Sequence, residues 1–412
     1  MTKLFQAVCE NHNMQGYGVV RKDKLVIFVR GLLKGEEARV RIVSYHKRYA
    51  LGEIAELLKV FKERVKPTCP YYSLCGGCAL SHMRYDAQTE TKQEELKTLF
   101  TKNGLKVDWL PLVVGEHQYH YRSKAQLHMS NKSLCYYEDQ SHEPVAIEGC
   151  CLLSPSVNQL IQEINQVLKT HPQSGEALIR ESSDCKEIVV CIKSLSDNWQ
   201  EGYLQLLKKV PSLKGMKVEC GDEVFVYGEP VLNEPFLDTA IALQPETFIQ
   251  VNPQVRRLLY QQVLDFGVFH RSDTVLDLYG GFGPISLLLC DQVKSCLVGE
   301  IAESSVLDGQ RFCERRKIDN VTYLQEDAAK VLSAHKADVV IVDPPRNGLS
   351  SDVRRLLCSN PAKQLIYISC DPHTLVRDLR QLQSVYQLKK AVGVDLFPQT
   401  RHVECVVAME QK

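Results

Sequence analysis

The 412-residue sequence contains no run of about 18 or more apolar residues, the length that a membrane-spanning helix requires. Its first 13 residues lack a charged segment followed by an apolar one, so we expect no secretory leader. No internal repeat or low-complexity segment is visible. These absences favour a globular, cytoplasmic protein with no membrane partner.

The chain as a whole has no excess of either charge, because 50 Lys and Arg balance 50 Asp and Glu. The two signs are unevenly placed, however. Residues 1–66 contain 14 Lys and Arg against 7 Asp and Glu, whereas the remainder contains 36 against 43. A basic N-terminal module on an acidic body predicts contact with a polyanion. On charge alone, an ordinary solvated basic surface explains the pattern equally well.

A disulfide framework is not expected either, although the sequence has 16 cysteines, because thiols stay reduced in the cytoplasm. Most of them stand among apolar residues, as Cys191, Cys290 and Cys296 do, and are predicted to be small buried side chains. Two places depart from this pattern, the segment 69–78 and Cys370.

Strand and helix patterns divide the chain into three segments. Residues 1–60 alternate basic and apolar residues in short strands, at 24–29 and 38–43, as is typical of small OB-type barrels that bind nucleic acid. Residues 61–240 are mixed, with a cysteine-rich loop and a helix at 85–100. Beyond residue 240, strands are expected at 274–279, 295–300, 321–325, 337–343, 363–369 and, last, 402–408. Because helix-length segments separate most of them, the pattern predicts an α/β domain with a mostly parallel sheet.

Cys69, Cys75 and Cys78 form a C-x5-C-x2-C loop with two glycines between the last two thiols. Glycines let a chain fold tightly while thiolates converge on a metal centre, and three ligands need a fourth to close the site. Candidates for the fourth ligand are Cys135, Cys150 and Cys151. Iron–sulfur and zinc both fit this spacing, and buried thiols without a metal are the alternative.

A hydrophobic strand ending in Tyr279-Gly-Gly-Phe-Gly283, before a helix near Pro284, predicts a ligand site at the carboxyl edge of the sheet. Glu300 ends the next strand, where a carboxylate can accept hydrogen bonds from ribose hydroxyls. Asp327 follows a third strand within reach of an adenine amino group, and Asp343-Pro-Pro follows a fourth. A dinucleotide site has a similar glycine turn, and each carboxylate alone is as readily a helix cap. The ordered set fits S-adenosylmethionine better.

Cys370 is predicted at the end of a buried strand on the same edge. A thiolate is a strong nucleophile and can add to carbon 6 of a pyrimidine, which makes carbon 5 reactive towards a sulfonium methyl group. A base must then remove the carbon 5 proton, and Glu404 on the last strand is the candidate, with His402 as the second choice. Asp343 could also orient the ring. Alone, Cys370 would be read as a buried structural thiol and Glu404 as an exposed carboxylate.

Taken together, these motifs resemble the RNA uracil-5-methyltransferase family along nearly the whole chain. The resemblance implies a class I (Rossmann-like) S-adenosylmethionine-dependent α/β methyltransferase domain at 241–412. Before it, an OB/TRAM β-barrel at 1–60 and a central α+β iron–sulfur domain at 61–240 are implied. The ribosomal-RNA branch of the family implies a 4Fe–4S cluster, held here by Cys69, Cys75, Cys78 and Cys150, and 23S ribosomal RNA as the partner.

The resemblance also implies the site residues. Gln250, in Phe248-Ile-Gln-Val-Asn252, is a donor ligand, as are Tyr279, Glu300 and Asp343. Cys370, in Ser369-Cys-Asp-Pro372, is the nucleophile and Glu404 the general base. Pro284 stands where the family commonly has asparagine.

Three alternatives to this function are compatible with parts of the sequence. Cytosine-5 methylation of RNA uses a second cysteine beside the Asp-Pro-Pro position, where this chain has Arg346. Transfer RNA is the second choice of substrate for the same reaction. The third alternative is a non-catalytic RNA-binding protein whose fold is stabilised by a metal site, but such a protein would not need Cys370 or Glu404. No protein partner is implied, and we expect a monomer.

Overall fold

In the computed structural model, which describes residues 4–13, 15–130, 132–139, 141–195 and 200–412, the alternating N-terminal pattern forms a six-stranded sheet. Its strands are β1 (Phe5–Val8), β2 (Asn11–His12), β3 (Tyr17–Lys22), β4 (Leu25–Arg30), β5 (Glu37–Tyr45) and β6 (Tyr49–Lys59), in the order β1-β5-β6-β4-β3-β2. Along β5, Ala38, Val40 and Ile42 pack into the core, while the two arginines between them are exposed. The predicted β-rich N-terminal segment is confirmed.

Contacts between residues divide the chain into two compact units. The first contains Met1–Thr98, Tyr137–Glu143 and Phe397–His402, and the second contains Leu99–Tyr136, Pro144–Leu396 and Val403–Lys412. The three-part division at residues 60 and 240 remains a prediction. Within the described ranges, no helix is both long enough and apolar enough to cross a membrane.

The segment after the N-terminal sheet contains the cysteine-rich loop and one helix. The loop, residues 69–78, runs through turns rather than strands. The helix predicted at 85–100 is present as α1 (Tyr85–Lys102), with Asp86 in its first turn and Lys102 in its last. Both charges oppose the helix dipole at their ends and stabilise the helix. A two-residue strand, β7 (Asp108–Trp109), follows α1.

A seven-stranded sheet and two helices come next. They are β8 (Lys124–Ser130), β9 (Ser133–Tyr137), β10 (Pro144–Ala146), α2 (Pro155–Thr170), β11 (Gly175–Glu181), β12 (Ile188–Ser194), α3 (Gln200–Lys209), β13 (Leu213–Cys220) and β14 (Glu223–Gly228). The strand order is β10-β9-β8-β11-β12-β13-β14. The pairs β9–β8, β8–β11, β11–β12 and β13–β14 are antiparallel, whereas β12 and β13 are parallel. Ser154 caps α2 by accepting a hydrogen bond from Val157 N (3.2 Å), and Pro155 occupies the first turn.

Two short strands, β15 (Leu232–Phe236) and β16 (Thr239–Leu243), pair antiparallel and lead to α4 (Pro253–Phe266). Between β16 and α4, residues 244–252 have no regular secondary structure. Asn252 caps α4 through a hydrogen bond from Val255 N (3.3 Å). This irregular segment contains Gln250, and its conformation must therefore be fixed by contacts outside itself.

The remaining elements form an eight-stranded sheet with helices between its strands. They are β17 (Thr274–Leu278), α5 (Pro284–Leu289), β18 (Ser295–Glu300), α6 (Glu303–Arg316), β19 (Val321–Gln325), α7 (Ala328–Ala334), β20 (Val339–Val342), α8 (Ser351–Ser359), β21 (Gln364–Ser369), α9 (Pro372–Leu382), β22 (Tyr386–Val394) and β23 (Glu404–Gln411). The order is β19-β18-β17-β20-β21-β23-β22-β7. The first five strands are parallel, and β23 is antiparallel to both of its neighbours.

The predicted α/β fold with a mostly parallel sheet is confirmed. The parallel strands start or end within two residues of their predicted limits, because their apolar runs are buried. The last strand, predicted at 402–408, instead begins at Glu404. His402 N donates to Thr400 Oγ1 (3.2 Å) in a turn, so this backbone group is not available to a ladder.

Candidate active site

The chain order reverses between β17 and β20, and this is where an open α/β sheet binds its ligands. From β17 the sheet continues through β18 and β19 on one side and through β20 and β21 on the other. Tyr279, Glu300, Asp343 and Cys370 stand at the carboxyl ends of β17, β18, β20 and β21. The fold thus brings these four predicted site residues to one edge.

The turn after β17 has the backbone conformations that the glycine-rich motif predicts. Tyr279, Gly281 and Gly283 have φ values of +60°, +58° and +79°. Tyr323 Oη donates to Phe282 O (2.8 Å), and a Cβ on Gly283 would lie 2.7 Å from the same Oη. A side chain at position 283 would therefore displace the ring that supports the turn.

Glu300 fixes the glycine turn through its carboxylate. Its Oε2 accepts from Gly281 N (3.0 Å) and its Oε1 accepts from Ala302 N (2.8 Å). Each oxygen keeps a second lone pair, which can accept a ribose hydroxyl. The neighbouring Ile301 is 69% exposed and offers an apolar surface beside this carboxylate. Ile301 was not among the predicted site residues, although an isolated apolar residue after an acidic strand end is a signal that could have identified it.

Asp327 is both a helix cap and part of this edge. Its Oδ1 accepts from Ala329 N (2.8 Å) at the start of α7, which is the capping role weighed from the sequence. The side chain is exposed. Burial raises the pKa of Tyr279 to about 12, and the charge of Asp327 adds to that rise. Asp327 and Tyr279 are therefore close enough to interact.

Asp343 is a half-buried carboxyl group beside Gln250. Its Oδ2 accepts from Gln250 Nε2 at 3.5 Å, and its backbone N donates to Leu278 O at 3.3 Å. Burial, and then the charge of Asp277, raise the pKa of Asp343 to about 7, while Gln250 lowers it. Within the described residues, Asp343 has no ion-pair partner. Such a carboxyl is suited to a cationic ligand such as a sulfonium or an amino group.

Buried polar side chains hold the irregular segment that carries Gln250. Arg180, which is 2% exposed, donates to Thr247 O and to Pro245 O (3.2 Å). Arg256, which is 3% exposed, pairs with Glu234 (2.5 Å). Arg256 also donates to Gln250 O at 3.4 Å. Sequence reasoning missed these arginines, because nothing local distinguishes them from surface cations.

Cys370 and Glu404 are neighbours across adjacent strands. Ser369 on β21 pairs with Cys405 on β23 in antiparallel register. The ladder ends at this pair, and Cys370 follows β21 directly, as Glu404 begins β23. The charge of Glu404 raises the pKa of Cys370, so the predicted nucleophile and the predicted base lie close enough to interact.

Glu404 is a buried carboxyl group that lacks a protein partner on one oxygen. It is 2% exposed, and within the described part of the chain its Oε2 makes no hydrogen bond. Burial and the charge of Asp343 hold its pKa well above the usual value, and Arg346 lowers it. A buried acceptor without a partner costs free energy, so it indicates a place where a ligand supplies the missing bond.

Cys370 is a half-buried thiol whose reactivity depends on its neighbours. Burial, then Glu404 and Asp343, raise its pKa to about 12, and Arg346 lowers it. The thiol is therefore protonated at neutral pH, and the adjacent carboxyl groups can accept its proton when they are ionised. Cys370, Glu404, Asp343 and Arg346 form one electrostatically coupled group.

The raised pKa of Asp343 predicts a measurable effect on stability. Below about pH 4 the carboxyl is protonated in both the folded and the unfolded chain, and its effect is small. Between about pH 4 and pH 7 the folded chain keeps a proton that the unfolded chain has already released. The free energy of unfolding therefore falls as the pH rises through this range. We expect Asp343→Asn to raise the free energy of unfolding at pH 8 by roughly 2 kcal/mol, allowing for partial solvent screening. Urea unfolding of the protein without donor measures it.

Asp338 provides a control of opposite sign. Hydrogen bonds from Lys363 and from Thr274 N lower its pKa to about 2, so its contribution is present above pH 4 and lost as the pH falls through about 2. Asp338→Asn should destabilise the protein at pH 8. If Asp343→Asn were no more stable than the parent at pH 8, the carboxyl would not be the strained group described here.

The cysteine-rich loop lies in the first unit. Cys69, Cys75 and Cys78 are all half-buried. Arg30, on β4, donates to Tyr72 O (3.2 Å) and to Cys75 O (3.0 Å). Cys75 Sγ accepts from Gly77 N at 3.4 Å, a bond of the kind that stabilises a metal-bound thiolate. The donor set and the tethered loop fit a thiolate-ligated metal centre.

The candidates for the fourth metal ligand differ in their surroundings. Cys135 is buried on β9, and its thiol donates to His128 O (3.3 Å) on the neighbouring strand β8. It is therefore part of the core of this sheet. Cys150 and Cys151 are half-buried in the second unit, in the turn before α2. Asn158 holds Cys150 by accepting from its N (2.8 Å) and donating to its O (3.1 Å).

A different group, Cys191, Glu219 and Glu246, also brings three metal-type ligands together. Lys217 Nζ lies 2.9 Å from Glu219 Oε1 and 2.6 Å from Glu246 Oε1. Lys193 Nζ also pairs with Glu219 (3.5 Å), so two ammonium groups already balance the two carboxylates. Cys191 is 3% exposed, which agrees with its prediction as a small buried side chain.

Comparisons with known proteins bear on this geometry. A family model described as tRNA (Uracil-5-)-methyltransferase matches residues 84–412. An uncharacterized RNA methyltransferase of Caldanaerobacter subterraneus subsp. tengcongensis is 30% identical, over 96% of this chain and 96% of that protein. One of Oceanobacillus iheyensis is 28% identical, over 100% of this chain and 97% of that protein.

Among solved structures, the tRNA (uracil-54, C5)-methyltransferase of Pyrococcus abyssi, in complex with S-adenosyl-L-homocysteine, aligns with a TM-score of 0.79. It shares 21% sequence identity, and the alignment covers 98% of this chain and 99% of that one. At this identity, the likeness establishes a common fold.

Proposed function

The chain belongs to the tRNA (uracil-5-)-methyltransferase family, and from this we propose that it transfers a methyl group from S-adenosylmethionine to carbon 5 of a uridine through a covalent bond to Cys370. The family predicted from the sequence motifs is confirmed. The observation that carries the covalent route is the proximity of Cys370, directly after β21, to Glu404, at the start of β23, whose charge acts on the thiol. Neither binding of RNA nor binding of a donor requires this pair.

The first chemical step is the addition of the Cys370 sulfur to carbon 6 of the uracil ring. The thiol must first lose its proton, which the ionised carboxylate of Asp343, whose pKa is about 7 and whose charge acts on the thiol, can accept, so that Glu404 stays free for the later step. The new S–C6 bond moves the ring electrons towards carbon 5 and oxygen 4 as an enolate. Arg346, whose charge favours the ionised forms of Cys370 and Glu404, can stabilise this negative charge.

The enolate carbon then takes the electrophilic methyl group that bound S-adenosylmethionine supplies. Glu404 next removes the remaining proton from carbon 5, and its raised pKa makes it a stronger base than an exposed carboxylate. The electron pair of the broken C5–H bond restores the ring double bond as the S–C6 bond breaks. Cys370 leaves as a thiolate, and the product is 5-methyluridine.

The five residues predicted from the sequence, together with Ile301, are proposed to bind the donor. Glu300 would accept the ribose hydroxyls, and Asp327 the adenine amino group, with the ring against Ile301. Gln250 and Asp343 would face the methionine portion, with Tyr279 between the two ends. The fit rests on the carboxyl-edge position of these groups, on the turn fixed by Glu300 and on the unpaired carboxyl of Asp343.

The RNA must present its target base outside any stack, because carbon 6 is otherwise inaccessible to the thiol. Phe248, two residues before Gln250, is 53% exposed and can stack on a base. On the N-terminal sheet, Arg39 and Arg41 pair with Glu56 and Glu53, so much of the predicted basic surface is neutralised.

We therefore assign the RNA contact of the N-terminal sheet to the tip of the β5–β6 hairpin. Its exposed residues are Tyr45, His46, Lys47 and Arg48. The His46 ring stacks on Tyr49 at 4.5 Å, which leaves one aromatic face for a base beside two cations. In this role residues 1–60 would act as the TRAM-type domain.

The proposed substrate is 23S ribosomal RNA, because the cysteine loop resembles that of the ribosomal branch. Transfer RNA is the second candidate, since the family description names it. The test is to incubate the protein with each RNA and S-adenosylmethionine and to map methylated nucleosides by mass spectrometry. We expect 5-methyluridine in a 23S fragment. Methylation at nitrogen 3 or on the ribose would contradict the reaction, and 5-methyluridine in transfer RNA alone would contradict the substrate.

Cys69, Cys75 and Cys78, with Cys150 as the fourth ligand carried over from the family resemblance, are proposed to hold a 4Fe–4S cluster. Four cysteine ligands leave no open position for a substrate, so the cluster would serve folding and RNA docking. The central segment 61–240 would then be the iron–sulfur domain. We propose a cytoplasmic location, because the 16 cysteines of the sequence are expected to stay reduced there rather than to form disulfides, and we expect a monomer.

This assignment predicts about four iron and four sulfide per chain in protein purified without oxygen. Cys78→Ser should lose most of the iron and the visible absorbance, because three ligands hold a cluster weakly. Cys185→Ser, which changes an exposed cysteine outside the loop, should keep both. A single zinc ion in place of iron, or full iron content in Cys78→Ser, would contradict the assignment.

A further inference from the structure

Three basic residues meet where β8 begins in the second unit, and two of them, Arg122 and Lys124, have no role assigned above. Lys124 on β8 pairs directly with Arg180 on β11 in antiparallel register, so the two side chains project to the same face. Arg122 stands two residues before Lys124 in the extended chain, and its Nε donates to Lys124 O (2.9 Å). Like charges placed directly opposite one another destabilise a sheet.

Arg180 has neighbours that compensate its charge, and Lys124 does not. Glu234, Asp308 and Glu246 all favour the charged form of Arg180. Within the described residues, no carboxylate pairs with Lys124 or Arg122. Burial, followed by the charges of Arg180 and Arg122, lowers the pKa of Lys124 to about 8. A half-buried ammonium group with only cationic neighbours indicates a position where an anion binds.

The position of these cations is adjacent to the donor segment. Ser123, between Arg122 and Lys124, donates to Val251 O from both its backbone N (2.8 Å) and its Oγ (3.0 Å). Val251 follows Gln250 directly. These two hydrogen bonds therefore connect the start of β8 to the segment that contains Gln250 and the exposed ring of Phe248.

We propose that Lys124, with Arg122 beside it, binds a phosphate group of the substrate RNA next to the target uridine. The proposal rests on the RNA substrate of the proposed function. A flipped base is connected to two backbone phosphates, and an enzyme that holds the base must accommodate their charges. Phosphate contacts of this kind fix the register of the nucleic acid without reading its sequence.

The test measures binding rather than turnover. A labelled single-stranded 20-nucleotide RNA with one central uridine is titrated with the protein at several salt concentrations. Loss of one phosphate contact should reduce the slope of log affinity against log salt by about 0.7. We expect this for Lys124→Gln, and we expect Lys124→Arg to restore the slope. In turnover, Lys124→Gln should raise KM for RNA and leave kcat unchanged.

Lys132→Gln is the matched control, because Lys132 is exposed at the other end of β8, and its slope should equal that of the parent. An unchanged slope in Lys124→Gln would overturn the proposal. Loss of S-adenosylmethionine affinity in the same variant, measured without RNA, would also overturn it, since the anion would then be the donor carboxylate. If the parent itself bound no RNA, the proposed function would fail first.

Discussion

Cys370→Ala is expected to reduce methylation of RNA by at least about 10⁴-fold, the order of loss seen when a covalent nucleophile is removed. Carbon 5 of uracil is a weak nucleophile, and nothing else at this edge can raise its electron density as an S–C6 bond does. The residues proposed to bind the donor lie outside β21, so donor affinity should change little. Single-turnover methyl transfer with saturating RNA and donor measures the effect.

Cys358→Ala is the matched control for this variant. Cys358 is also half-buried and belongs to the same unit, but it lies in α8, where its thiol makes long contacts with Gln381 O and Ser384 Oγ (both 3.9 Å). Its removal should leave the rate within about twofold, as for most substitutions away from a site. A Cys370→Ala enzyme that kept a tenth of the parental rate would exclude covalent catalysis by this thiol.

Glu404→Gln is expected to separate the two halves of the reaction. Addition of Cys370 and methyl transfer precede removal of the carbon 5 proton, so the methylated RNA should stay covalently attached to the protein. Steady-state turnover should fall by roughly 10²- to 10⁴-fold, the range that a general base contributes. Denaturing gels with labelled RNA should show a slow-migrating complex that the parent does not accumulate.

Glu410→Gln is the matched control, because it removes a different carboxylate from β23 and so tests whether the loss of turnover is specific to Glu404. Glu410 lies on the same strand but is exposed and pairs with Lys389 (2.9 Å), and its removal should leave turnover unchanged. If Glu404→Gln lost the covalent complex as well as turnover, Glu404 would act before the methyl transfer rather than after it. Full turnover in Glu404→Gln would remove its assigned role altogether.

Much of the sheet and its edge could be predicted from the sequence, because short stretches of sequence are enough to indicate these features. Buried strands appear in the sequence as apolar runs, and two of the three glycines after β17, Gly281 and Gly283, occur where φ is positive. Acidic residues at successive strand ends then meet at one edge, because parallel strands share their direction. This is why Tyr279, Glu300, Asp343 and Cys370 could be placed together from their order alone.

Other parts of the site depend on contacts between distant residues and could not be predicted. Arg180 and Arg256 support the Gln250 segment from positions 70 and 6 residues away along the chain, and their burial follows only from the tertiary fold. The orphan oxygen of Glu404 likewise arises from burial on an edge where no donor is supplied. The starting point of β23 was misplaced because a side-chain hydrogen bond to Thr400 ended the ladder.

The most direct test of the covalent mechanism is to trap the protein on an RNA in which the target uridine is replaced by 5-fluorouridine. Fluorine at carbon 5 cannot be removed as a proton, so the S–C6 bond should persist after methyl transfer. Digestion and mass spectrometry should find a methylated fluorouridine on the peptide that contains Cys370. A bond to another cysteine, or methylated RNA released with no protein attached, would contradict the account.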